Sequence, residues 1–315
     1  MSVLVTGAGL IGRLTAGLLA ARGERVVLAD IRAPAGLAIE PCDVTDAAGL
    51  EALVVRHHVS AIIHTAAMLS TGIRQDPVAG VLVNVMGTVN VLDIARLHRL
   101  RRVVCASSST VGYTTFGRHD AAPIEEDLPL HLISERPASI YAASKIAGEH
   151  FAWLFHDLYG VDVVSLRYAA VLGATAEPPS SVPGRLLARL LEGARTGSHV
   201  VLDDPFMAWD GGEEFVDARD CAAANVAALD AATPVQRVYN VAPGGWCTLA
   251  EFVAAVREVA PGLSVTLPPP SGKGFAGFPH MRPAPSDTQA AARDLGFRCT
   301  HSLTDTIRHV RDMTL

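Results

Sequence analysis

The chain has 315 residues, half of them hydrophobic and 18% charged, with a formal net charge of -6. That size suits one large α/β domain with a smaller lobe, and that balance suits a packed core rather than a disordered chain. No basic block stands out, which argues against nucleic acid as a partner; the five cysteines (Cys42, Cys105, Cys221, Cys247 and Cys299) show neither metal-ligand spacing nor a disulfide pattern, so no metal and a reduced, cytoplasmic setting are expected.

Short β-branched runs alternate with helical patterns along the first half. Val3-Leu4-Val5 reads as a strand starting almost at Met1, which leaves no room for a signal peptide. Leu10 to Arg22 reads as a helix, Arg25 to Ala29 as a strand, and Ala61 to His64 as a third strand. A helix is expected from about Val81 to Leu97, a strand over Val103–Ala106, a long helix over Tyr141–Tyr159 and a strand over Val161–Leu166. No apolar run is expected to reach the roughly 20 residues of a membrane span. This alternation predicts a Rossmann-type, doubly wound parallel sheet covered on both faces. Regularity fades after about Leu172. Gly184 to Ala194 reads as helix, Glu214 to Leu229 as strand then helix, and the proline- and glycine-rich Pro268–Pro285 as loop. The expected division is a dinucleotide-binding domain over 1–171 and 214–261, with a substrate-binding lobe over 172–213 and 262–315.

Gly7, Gly9 and Gly12 form G-x-G-x-x-G between a predicted strand and a predicted helix. That spacing permits a tight turn, a close backbone approach to a pyrophosphate, and helix–strand packing. Leu10 and Ile11 open the helix whose free N–H groups face the phosphates. Asp30, 18 residues past Gly12, can accept from both ribose hydroxyls and disfavours a 2′-phosphate; Ile31 and Arg32 follow it. NAD is therefore favoured over NADP, although Arg32 could serve a 2′-phosphate. Asp43-Val44 is placed beside the adenine or in a surface turn. Thr65, Ala66 and Ala67 follow the third strand as small residues against which a cofactor can lie. His64 reads as a satisfied core histidine.

Tyr141 and Lys145 lie four residues apart on one helix face. A nearby ammonium lowers a phenol pKa, which makes the tyrosine a usable base, and the lysine can reach the nicotinamide ribose. Ser107-Ser108-Ser109 follows the fourth predicted strand and supplies a hydroxyl to orient the substrate oxygen.

These motifs together resemble the extended short-chain dehydrogenase/reductase family, in its NAD-dependent epimerase/dehydratase branch. The resemblance runs through Thr6–Gly12, Asp30, Asp43-Val44, His64–Ala67, Asn84–Thr88, Ser107–Val111, Tyr141–Lys145, Leu166-Arg167-Tyr168, Phe215–Asp220, Tyr239–Val241 and Asp294–Phe297. It implies catalytic Ser108, Tyr141 and Lys145, a cofactor site that also takes in Asn84, Ser107 and Tyr168, and a homodimer formed through helices near 84–98 and 141–159. Met68, Ser70, Ser108, Ser109, Ala170, Arg185 and Arg282 are the expected substrate contacts, with Arg189 a further possible anion ligand. The chain departs from the family in several places. Its glycine loop is one residue shorter. Ser109-Thr110 replaces the dehydratases' acid pair. Glu213-Glu214-Phe215 replaces an arginine-bearing segment, and Ala170 replaces an asparagine. These changes argue against a nucleotide-diphosphate substrate. The expected activity is oxidation of a secondary alcohol of a sugar, sugar acid or similar small hydroxylated compound. The alternatives are a (nucleotide-)sugar epimerase that retains its cofactor and an NAD-binding regulator without turnover.

Overall fold

A computed structural model describes residues 1–314 apart from 33–35, 37, 121, 132, 133, 135 and 176. The first half alternates as expected, with β1 (Ser2–Thr6), α1 (Leu10–Ala21), β2 (Val26–Asp30), β3 (Ile39–Pro41), α2 (Ala47–Arg56) and β4 (Val59–His64). Next come α3 (Ser70–Gln75), α4 (Pro77–Val81), a π turn (Leu82–Met86), α5 (Gly87–Leu97) and β5 (Arg102–Ser108). A 3-10 turn (Ser109–Thr114), α6 (Ile140–Tyr159) and β6 (Val163–Tyr168) complete this half. The second half holds β7 (Ala170–Leu172), α7 (Val182–Thr196), β8 (Val200–Val201), β9 (Phe215–Asp217), α8 (Ala218–Asp230), β10 (Val238–Val241), α9 (Leu249–Val259), β11 (Val265–Thr266), α10 (Gln289–Asp294) and α11 (Leu303–Thr314).

The main sheet runs β10-β6-β5-β4-β1-β2-β3, and every neighbouring pair is parallel. Chain order reverses between β1 and β4, so a crevice opens at their carboxyl ends. Strand alternation sends Val3, Val5 and Ile63 to one face, under α8 and α10. Leu4 and Ile62 point to the other, under α2 and α5. A separate core joins α7, α9 and α11 through Leu186, Leu190, Phe252, Val256 and Ile307. Thus α9 packs with the smaller lobe, while Ala290 and Ala291 of α10 return to the sheet.

One expectation needs correcting. Pro77–Leu97 is a continuous helical run of 21 residues with mean hydropathy 1.7, long and apolar enough by length and composition to cross a membrane. Its α5 part packs against α2, α6, β4 and β5, the setting of a sheet-covering helix. The expected single helix from Val81 is also broken by the π turn.

Phe252 is fully buried against Trp209 and Phe215. Phe252→Ala is expected to cost about 3–5 kcal/mol, read as a lower urea midpoint.

Candidate active site

A cleft of about 1340 Å³ follows the carboxyl edge of the sheet and continues into the smaller lobe. At one end Gly7 has φ +90°, and a Cβ there would fall 2.5 Å from the Ala66 nitrogen. A Cβ on Gly12 would fall 1.9 Å from the Gly7 carbonyl oxygen. Both positions therefore demand glycine. A Cβ on Gly9 would meet nothing within 4 Å, so its free side opens onto the cleft. Gly9 caps α1 without a side-chain hydrogen bond, leaving the first-turn N–H groups for an anion. Asp30 accepts from Ala8 N–H at 2.7 Å and Arg32 N–H at 2.9 Å, which fixes its carboxylate beside the loop. Asp43 holds a local turn by accepting from both Thr45 N–H and Oγ, and it also faces the cleft.

At the other end the three serines separate by partner. Ser107 donates to buried Glu149, which Arg167 also holds at 2.7 Å. Ser109 lies beside Tyr113 and Ser108 beside Tyr141, each favouring the charged form of its phenol, and Ser108 also caps the 3-10 turn by accepting from Thr110 N–H at 3.2 Å. Ser139 starts α6 by accepting from Ala142 N–H, which sets Tyr141 in the first helical turn. Lys145 Nζ donates to the Ala106 carbonyl at 2.7 Å and lies 5.7 Å from the Tyr141 ring centroid. Burial raises the Tyr141 phenol above its ordinary value of 10, and Ser108 opposes this. The expected lowering by Lys145 is therefore absent. The ammonium itself is destabilised by burial, down to about 8, with Cys105 and Glu149 opposing.

The family model for the NAD-dependent epimerase/dehydratase family matches residues 3–242. The chain belongs to that family. It is 32% identical to a UDP-glucose 4-epimerase of Mycolicibacterium smegmatis, over 65% of this chain and 70% of that protein. Several other curated relatives are matched over about half of their own length. Among solved structures, a holo L-threonine dehydrogenase from Cupriavidus necator superposes with TM-score 0.82 at 26% identity, covering 99% of both chains. A Thermus thermophilus UDP-glucose 4-epimerase in complex with NAD gives TM-score 0.75 at 28% identity, covering 99% of this chain and 98% of that one. The fold is the Rossmann-type α/β fold of extended short-chain dehydrogenases/reductases, the cofactor is NAD, and the glycine loop, open Gly9 face and Asp30 fit it.

Within this family member most expected residues reach the cleft, including Leu10, Ile31, Arg32, Val44, Thr65, Ala66, Ala67, Met68, Ser70 and Ala170. Five need correction. Asn84 is buried behind the wall: its amide clamps Met68 through both N–H and C=O and donates to Ser144, so it holds the 65–69 segment rather than a ligand. The Tyr168 ring reaches the cleft, but its hydroxyl turns inward to Asn225 at 2.6 Å. Arg185 lies outside the cleft, 3.8 Å from Asp204, and Arg189 binds the Val201 carbonyl and Asp203. Arg282 is 4% exposed and ion-paired with both Glu213 and Glu214. Those glutamates therefore neutralise an internal cation and do not face a substrate. His64 is a core residue as read: burial holds its pKa down to about 3, with Thr6 and Thr88 hydroxyls on its two nitrogens.

The sequence reading missed Arg13, Arg74, Thr110, Ser139, Phe206 and Phe278 in the cleft wall. The N-cap position of Ser139 before the Tyr141 helix was a usable signal, as was Arg13 in the helix that follows the glycine loop.

Two expectations follow. Gly9→Ala should leave the melting temperature nearly unchanged while weakening NAD about tenfold or more, whereas Gly12→Ala should lower both, as seen by calorimetry. Between pH 8 and 10.5 the unfolded chain binds a proton at Lys145 that the folded chain has lost, so this group's contribution to stability rises with pH. Lys145→Met should therefore be more stable than wild type at pH 7, by about 1–2 kcal/mol, with the gap closing towards pH 10.

Proposed function

We propose that this protein is an NAD-dependent dehydrogenase that oxidises a secondary alcohol of a sugar, sugar acid or similar small hydroxylated compound. The observation that carries this reading is that Ser108, Tyr141 and Lys145 line one cleft with the glycine loop, Lys145 standing one helical turn beyond Tyr141. In this reading Tyr141 takes the hydroxyl proton and Ser108 donates to the same oxygen, which holds the alcohol in one orientation. Bound NAD supplies the acceptor for the hydride leaving the carbinol carbon. Lys145 contributes positive charge beside the phenol, with Ala106 fixing its head group. The smaller lobe, built around α7, α9 and α11, is proposed to select the substrate. A small substrate is supported by the aromatic wall of Phe206, Phe275 and Phe278, and by the burial of Arg282 away from any diphosphate.

The second reading is an epimerase that retains its cofactor; similarity to the Mycolicibacterium smegmatis enzyme favours it. NADH absorbance at 340 nm over a panel of polyols, sugars, sugar acids and nucleotide sugars separates the two. A dehydrogenase accumulates NADH, and Tyr141→Phe should lose at least about 10²-fold of that rate while still binding NAD. Epimer formation without net NADH would replace the dehydrogenase reading. Because the phenol is raised above 10, its base form grows with pH. Alcohol oxidation should climb from pH 7 to 10, and a flat profile would remove Tyr141 from the role of base.

We also propose a homodimer through α5 and α6, which leave Leu97, Trp153, Leu154, Leu158 and Tyr159 exposed on neighbouring helices. Leu154→Glu with Leu158→Glu should shift sedimentation from dimer to monomer.

A further inference from the structure

We propose that Arg74 binds a carboxylate of the substrate, which makes the reacting compound a small hydroxy acid, and that Thr110 Oγ1 hydrogen-bonds a second substrate oxygen. This deepens the dehydrogenase reading and rests on it.

Four cations line the cleft among the described residues: Arg13, Arg32, Arg74 and Lys145. Arg13 is committed to the Ala8 carbonyl at 2.6 Å and stands 3.7 Å from Glu177. Lys145 is committed to Ala106. Arg32 follows Asp30 at the glycine-loop end. Arg74 differs from Arg13 and Lys145 in its side-chain partners and from Arg32 in its place and its aromatic support. Its guanidinium carbon sits 4.0 Å from the Phe206 ring centroid, and no hydrogen bond or ion pair within the described chain engages its N–H groups. A ring under one face holds the group in place and leaves its edge free, the edge that meets a carboxylate through two parallel bonds.

A short run of contacts carries this cation to the reacting end. Phe206 abuts Gly277, where a Cβ would fall 2.7 Å from the ring. The neighbouring Phe278 meets Tyr113 edge-on at 4.4 Å between centroids. Tyr113 belongs to the same 3-10 turn as Thr110, whose N–H bonds Ser108. Arg74, Phe206, Phe278, Tyr113, Thr110 and Ser108 all line one cleft.

Thr110 adds an independent sign of a ligand. Its Oγ1 is shielded from solvent and has no hydrogen-bond partner. A buried hydroxyl without a partner is costly, and a substrate oxygen in the cleft satisfies it. The acids of the region do not oppose an anion here. Asp30 and Asp43 are at the glycine-loop end, Glu177 faces Arg13, and Glu213 and Glu214 are buried on Arg282. The cations at this end of the cleft are Lys145 and the exposed Arg74.

The test uses the full chain with NAD and a panel of three- to six-carbon aldonic acids, the matching neutral alditols, and their phosphate monoesters. The proposal expects NADH from an aldonic acid at kcat/KM at least about tenfold above its alditol, as for a charge-assisted hydrogen-bonded pair at a solvent-accessible guanidinium. Arg74→Gln should raise KM for that acid by a similar factor with little change in kcat or NAD affinity, and Arg74→Lys should recover part of the loss. Thr110→Val should weaken the same substrate. Equal use of acid and alditol, or an unchanged KM in Arg74→Gln, overturns the proposal while the dehydrogenase reading stands. A preference for the phosphate monoester overturns the carboxylate class. If no compound yields NADH, the dehydrogenase reading fails, and calorimetric binding of the same acids to the NAD-loaded protein decides the site. Binding lost in Arg74→Gln supports it, and binding that is absent or unchanged overturns it.

Discussion

Seven strands that all run the same way deliver their carboxyl ends to a single edge, and everything functional in this protein depends on that. β1 ends at the glycine loop, β2 at Asp30, β4 at Thr65 and β5 at Ser108. The side chains are far apart in sequence but fall on one line because parallel pairing leaves no alternative. The register is held where the chain order reverses. Thr65 donates through Oγ1 to the carbonyls of Thr6 and Gly7, locking the end of β4 to the end of β1. The closeness of that contact leaves no room for side chains at Gly7 and Gly12.

Charge is treated in two opposite ways. Glu149 with Arg167 and Ser107, and Arg282 with Glu213, Glu214 and Ser286, are closed networks in which each buried ion has its partner. Such networks fix geometry more than they add stability. Lys145 is the exception, an ammonium whose main direct partner is a neutral carbonyl. A buried ammonium destabilised in this way, inside a cleft, is the mark of a functional position.

The fold was legible because β-branched runs of four to seven residues and a long amphipathic α6 leave strong period-2 and period-3.6 signals. The same rule explains what was not seen. β3, β7, β8 and β11 have two or three residues each, too few to show alternation. The glycine loop and the Tyr141–Lys145 pair carry local spacing that maps directly onto geometry. Asn84 and Arg282 were misplaced because nothing local says that an amide will clamp a distant backbone, or that an arginine will be buried by acids about 70 residues before it. Arg74 and Phe206 went unnoticed because their meeting depends on packing between α3 and the smaller lobe.

The cysteines have a consequence of their own. All five are free thiols, and burial pushes them up: Cys42 to about 11, Cys105 and Cys247 to about 12, Cys221 and Cys299 higher still. The folded chain is therefore almost without thiolate at neutral pH, and electrophiles find little to attack. Cys105 and Cys221 are buried, so they become reactive only when their own surroundings open. Cys105 and Cys221 sit in the sheet cores and Cys247 in the smaller lobe. The protein thus carries two unfolding clocks, one on each face of the main sheet.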